Sequence, residues 1–168
     1  MSFKRTYTFP FKNNVPNFTE EYLEQKNLAL RYLKFLKRLF YLTFMGQRKK
    51  ELSSILPEHK NILWVNLSAP SLGDSLMDLS SRVLIENKKI DLFTDKKNHH
   101  IYLHDEIFNC VYMKIEDVKM RNYDLIILDS FSTRTIKVKT KIAYKTPYVS
   151  MFGFYNGPEV NRILFIFN

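Results

Sequence analysis

Apolar residues recur every three to four positions upstream of Pro57 and gather into short unbroken runs downstream of it. In the upstream part, Leu28, Tyr32, Leu36 and Leu39 are spaced four, four and three apart, one stripe of an α-helix. Phe35, Phe40 and Phe44 widen the stripe, which weakens at Thr43. Thr19 is placed to cap the amino end, with Glu20 and Glu21 in the first turn. Arg31, Lys34, Lys37 and Arg38 gather later, the charge order a helix dipole favours. Gly46 predicts the stop, and Pro57 closes the short segment after it. Residues 1–16, broken by Pro10 and Pro16, predict an irregular arm.

Downstream, "NILWVNL" (61–67), "KIDLFTD" (89–95), "NCVYMKI" (109–115), "YDLIILD" (123–129) and "TPYVSMF" (146–152) read as buried strands. Between the first two, Leu76, Leu79, Val83 and Leu84 keep helical spacing. Strand, helix, strand at this distance predicts a right-handed βαβ crossover and a parallel sheet. The later connections are less regular, and "DKKNHHIYLHDEIF" fits a helix or a loop. The expected fold is α/β: a Rossmann-like parallel sheet with flanking helices, over 58–168. A basic N-terminal arm and amphipathic helical segment, 1–57, precede it.

Composition narrows the partners. With 168 residues, 45% hydrophobic and 15% aromatic, the chain suits one folded domain rather than disorder. A net charge of +9 favours polyanionic partners: nucleic acid, anionic lipid or phosphorylated ligands. Cys110 is the single cysteine, so no disulfide forms within the chain, as suits a reducing cytoplasm, and its apolar surroundings predict a buried structural thiol. The first residues lack a signal-peptide core, and no apolar run approaches the ~20 residues that span a bilayer.

The loop Ser68–Asp74 follows the first strand, where open α/β sheets bind ligands. Gly73 permits close backbone approach, and the next helix points its positive end at the loop. Asp74 has two readings there: a helix cap, or a general base that takes a proton from an attacking hydroxyl. Neither G-x-G-x-x-G nor G-K-[ST] is present, which disfavours the usual modes of nicotinamide and ATP binding.

"ILWVNLSAPSLGDSLMDLSSRVL", "KIDLFTD", "YDLIILDS" and "PYVSMFGFYNGPEVNR", in that order, resemble glycosyltransferase family 9, the ADP-heptose:lipopolysaccharide heptosyltransferases. The likeness runs over 60–162, and Ser71-Leu72-Gly73-Asp74 is its most specific piece. It implies the acceptor-binding half of a GT-B enzyme that transfers a sugar from an ADP-heptose type donor to the lipopolysaccharide inner core. Asp74 would be the catalytic base: it deprotonates the acceptor hydroxyl, which attacks the anomeric carbon with inversion and expels the nucleotide. Ser71, Leu72 and Gly73 would line the acceptor side. The implied acceptor is a Kdo-lipid A type lipid-linked sugar, and the location is cytoplasmic, peripheral on the inner membrane. A nucleotide-sugar donor enters only if a second domain is supplied. The sequence given ends near where that donor domain would follow, so an incomplete enzyme or an inactive truncated remnant is also expected. The turn departs from the family in reading "SAPSLGD" rather than "SSLGD", and Ser80 stands where many members have proline.

"SFSTRTIKVKTKIAYK" adds Arg134, Lys137, Lys139, Lys141 and Lys145 after the fourth strand. The first three are candidates for the acceptor's phosphates or carboxylates; the alternative is a solvated basic face. Gly157-Pro158-Glu159 with Arg162 reads as a structural turn. His99, His100 and His104, near Asp95 and Asp105, lack the spacing of a zinc site, so neither metal nor cofactor is expected. Segment 28–50 is basic and amphipathic, suited either to an anionic membrane surface or to packing on the sheet. A non-catalytic basic module that binds anionic glycolipid or nucleic acid is the competing function. Nucleic acid is disfavoured as its partner, because RRM, KH and helix-turn-helix signatures are missing.

Overall fold

The computed structural model describes residues 28–151 apart from 68, 70, 86, 130 and 131, with the backbone alone for 28–32. Among the described residues, five parallel strands form one sheet in the order β3-β2-β1-β4-β5. They are β1 (Asn61–Asn66), β2 (Lys89–Thr94), β3 (Phe108–Tyr112), β4 (Leu125–Leu128) and β5 (Tyr148–Ser150). Helices α1 (Leu28–Phe44), α2 (Leu72–Leu79), α3 (Lys96–Tyr102), α4 (Ile115–Lys119) and α5 (Thr133–Ala143) flank it. This is a Rossmann-like arrangement, and it centres on β1.

The strands are unbroken apolar runs because both faces of the sheet are covered. Alternate residues divide between two cores. Ile62, Trp64, Ile90, Leu92 and Ile127 pack under Leu79 of α2 and Tyr102 of α3. Leu63, Val65, Phe93, Ile126 and Leu128 pack under Val118 of α4, Ile136 of α5 and Leu42 of α1. Each such aliphatic side chain contributes about 1.5–3 kcal/mol by burial. The chain therefore crosses from one face to the other between β3 and β4.

Two helical stripes differ from the sequence expectation. Among the described side chains of α1 the fully buried one is Leu42, while Leu36, Phe40 and Phe44 are exposed; those of Leu28 and Tyr32 lie outside the description. Apolar residues occupy most of the helix circumference, so spacing alone cannot choose the inward face. On the helix after β1, only Leu79 of the expected stripe is buried; Leu76, Val83 and Leu84 are exposed. Here α2 ends at Leu79 and a 3-10 turn, Ser80–Leu84, takes over. The change from about 100° to 120° per residue rotates the later positions off the inward face. Ser80 sits at that change of winding, its hydroxyl donating to the Met77 carbonyl at 2.6 Å.

Gly46 does end α1. Its φ is +63°, Gln47 N–H donates to Leu42 O and Gly46 N–H to Thr43 O, a Schellman closure. "DKKNHHIYLHDEIF" resolves into α3, capped by the Asp95 carboxylate on the backbone N–H groups of Lys97 and Asn98. Cys110 is only partly buried, because β3 is an edge strand. The expected cap at Thr19, the arm 1–16 and the turn at 157–159 lie outside the described residues.

Candidate functional site

In the order β3-β2-β1-β4-β5, the crossovers from β1 and β4 leave in opposite directions, so the crevice lies between their carboxyl ends. The polar residues around it follow from the strand ends. Asp129, directly after β4, is fully buried. Its carboxylate accepts the Leu67 backbone N–H at 2.7 Å and the Thr135 hydroxyl at 3.3 Å. Arg134, exposed on the first turn of α5, donates from Nη1 to the Leu67 carbonyl at 3.3 Å. Both backbone groups of Leu67 are thus held from the β4–α5 side, which fixes the start of the loop toward Ser71. Ser132 caps α5 through the Thr135 N–H at 3.0 Å.

The Ser71–Asp74 turn forms a closed capping box at the amino end of α2. The Ser71 hydroxyl oxygen accepts the Asp74 N–H at 3.2 Å. Asp74 Oδ2 in turn accepts the Ser71 N–H at 3.1 Å and the Ser71 hydroxyl at 2.7 Å. The cap is therefore Ser71, and Asp74 closes the box from the third helical position. Leu72 and Gly73 are exposed in the first turn, and Asp74 is partly so. A Cβ on Gly73 would meet only the Ser71 hydroxyl, at 3.8 Å, so the glycine is not forced by packing here.

Beneath this turn, Ser75 donates to the Asn66 side-chain oxygen at 2.9 Å and lies 3.2 Å from the Tyr102 hydroxyl. Burial holds that phenol above its ordinary pKa, with the Ser75 contact and Arg82 opposing. Thr94 donates to the Asn66 carbonyl at 3.1 Å. The amide nitrogen of Asn66 and the oxygen of Asn98 are buried with no hydrogen-bond partner among the described residues. Buried amides of this kind accommodate water or a ligand hydroxyl.

Of the basic candidates, only Arg134 reaches the crevice. Lys137 is exposed on α5. Lys139 is fully buried, its ammonium bonded to Gln47 Oε1 at 2.5 Å and to the Tyr144 carbonyl at 3.1 Å. Burial, with Lys50 nearby, pulls its pKa down to about 7. It ties α1's carboxyl end to α5 rather than facing the Ser71–Asp74 turn. Among the described residues no three His, Cys, Asp or Glu side chains converge as a metal site, and His99 Nε2 lies 3.3 Å from the Val111 carbonyl.

The chain matches no family model, no curated protein and no solved structure.

A second feature escaped the sequence reading. A cleft of about 270 Å³ opens at the amino end of the sheet, lined by Lys89, Asp91, Asn109, Arg121 and Tyr123, among others. Asp91 is 5% exposed and accepts the Tyr123 hydroxyl at 2.8 Å and the Asn109 amide at 2.9 Å. Arg121 lies 3.6 Å away. Burial and then the Asp91 bond push the Tyr123 phenol pKa up. Asp91 is thus satisfied by Tyr123, Asn109 and Arg121, which explains these four groups as structural. An aspartate inside the apolar run "KIDLF" was the available signal. Asp129, ending "LIILD", was the corresponding signal for the crevice.

Proposed function

We propose that the chain binds an anionic, hydroxyl-rich ligand in the crevice between the carboxyl ends of β1 and β4, as the acceptor-binding half of a heptosyltransferase-like glycosyltransferase. The observation that supports this reading is the bond from Arg134 to the carbonyl of Leu67, where the chain leaves β1 toward the capped Ser71–Asp74 turn. The two flanking helices, α2 and α5, begin at this edge and add the positive ends of their dipoles. Arg134 would pair with an acceptor phosphate or carboxylate. Asp74 would take the proton of the acceptor hydroxyl as its oxygen bonds to the anomeric carbon and the nucleotide leaves with the bonding pair of the broken bond. The acceptor of this reading is a Kdo-lipid A type sugar, and the donor comes from a second domain or chain.

Non-catalytic binding of an anionic glycolipid in the same crevice is a second reading, and one observation favours it. Asp74 already serves the capping box, a role that accounts for an aspartate at that position without chemistry.

Calorimetric titration with a Kdo-bearing lipid A headgroup, followed by a transfer assay with ADP-heptose and a supplied donor domain, tests both. Under the enzyme reading Arg134→Gln weakens binding about tenfold or more, while Asp74→Asn abolishes transfer and leaves the fold intact. Transfer that survives in Asp74→Asn removes Asp74 as the base, whereas wild-type binding with no transfer leaves the non-catalytic reading. No binding by the wild-type chain ends both.

A further inference from the structure

The outward face of α1 has no counterpart in the crevice. Leu33, Leu36, Phe40 and Phe44, at steps of three, four and four, are 59%, 39%, 71% and 75% exposed. The Phe40 and Phe44 rings stack on one another, centroids 6.0 Å apart, outside the core. A helix that packs one side on a domain ordinarily turns polar residues outward. This one packs Leu42 inward and still presents an apolar ridge to solvent.

The charge on the same segment is one-sided. From Leu28 to Lys50 the sequence holds Arg31, Lys34, Lys37, Arg38, Arg48, Lys49 and Lys50 and no carboxylate. Lys34 and Lys37 are exposed beside the ridge, and Arg48 and Lys49 are exposed on the turn that follows. Helix α5 shares the layer with α1, adds exposed Lys137 and Lys141, and carries no carboxylate between Thr133 and Ala143.

We infer that α1 lies flat on an anionic phospholipid surface, with Phe40, Phe44 and Leu33 entering the headgroup layer and the lysines meeting lipid phosphates. Protruding apolar side chains flanked by cations fit the boundary between acyl chains and anionic headgroups. A second copy of the chain fits poorly, since pairing this face with itself opposes like charges. No described helix is long and apolar enough to cross a membrane. The contact is therefore interfacial, along the roughly 25 Å length of a 17-residue helix.

Vesicle co-sedimentation of the full chain tests this with phosphatidylcholine alone and with phosphatidylcholine–phosphatidylglycerol mixtures. Neither lipid offers a sugar acceptor, so the outcome is independent of the crevice. The inference expects binding to the mixed vesicles that falls about tenfold or more without the anionic lipid and weakens with salt. Phe40→Ser with Phe44→Ser should lower binding about tenfold with an unchanged melting curve, because both rings are exposed. Lys34→Gln with Lys37→Gln should lower it several-fold, and serves if the first variant melts early. Equal binding to both vesicle types would overturn the inference. So would wild-type binding by the Phe40/Phe44 variant, or a concentration-dependent dimer with no vesicle binding.

Discussion

Lys139 and Asp129 are charged side chains that α5 and the end of β4 bury for opposite effects. The Lys139 ammonium is desolvated, and its pKa falls from 10.5 to about 7. Between those two values the unfolded chain holds a proton that the native chain has released, so stability rises with pH across that window. Below about pH 7 the cost of burying the cation is fully present. We expect the urea midpoint to move up between pH 7 and 9, by a stability on the order of 2 kcal/mol. Lys139→Met should flatten that rise; the same rise in the variant would assign it elsewhere. Asp129, by contrast, has its carboxylate held by the Leu67 N–H and the Thr135 hydroxyl. Asp129→Ala leaves a buried N–H without its acceptor and should cost about 2–3 kcal/mol in denaturant unfolding, with Asp129→Asn losing less. It should also weaken ligand binding, since Leu67 then loses one of its two tethers.

The capping box of α2 separates structure from chemistry at the level of the element. Ser71→Ala removes the cap acceptor and should cost about 1 kcal/mol, read from the urea midpoint. Asp74→Asn keeps an oxygen able to accept the Ser71 N–H and should cost only a few tenths of that figure. A larger loss in Asp74→Asn would make the aspartate chiefly a folding residue. Gly46 is the other stop that backbone geometry demands. At φ +63° a Cβ would also come within 2.6 Å of the Tyr144 hydroxyl, so Gly46→Ala should destabilise by about 1 kcal/mol.

These elements also show what the sequence discloses. Strands were legible because Ile62–Val65 and Leu125–Leu128 are buried on both faces and leave no polar interruption. Helix faces were not. Leu76 and Phe40 are apolar yet exposed, while Ser75 and Asp78 are polar yet buried, and only tertiary contacts decide such positions. Helix α4 is a five-residue turn of helix, too short to show a period, and α5 reads only as a basic cluster because lysines interrupt its apolar side. For the site, Asp74 and Arg134 were visible as a turn and a cation. The tie that brings their loops together runs through the backbone of Leu67, which side-chain patterns do not reveal.

At the scale of the molecule, the strand order places the capped α2 and α5 at one edge, and the Asp91 cleft at the other. Under the proposed function, ligand enters at the carboxyl edge, between β1 and β4. Amide chemical-shift mapping on addition of a Kdo-bearing lipid A headgroup tests it most directly. Shifts are expected at Leu67 and at residues 71–75 and 132–135. Shifts confined to Asp91, Asn109, Arg121 and Tyr123, or none at saturating headgroup, would contradict it.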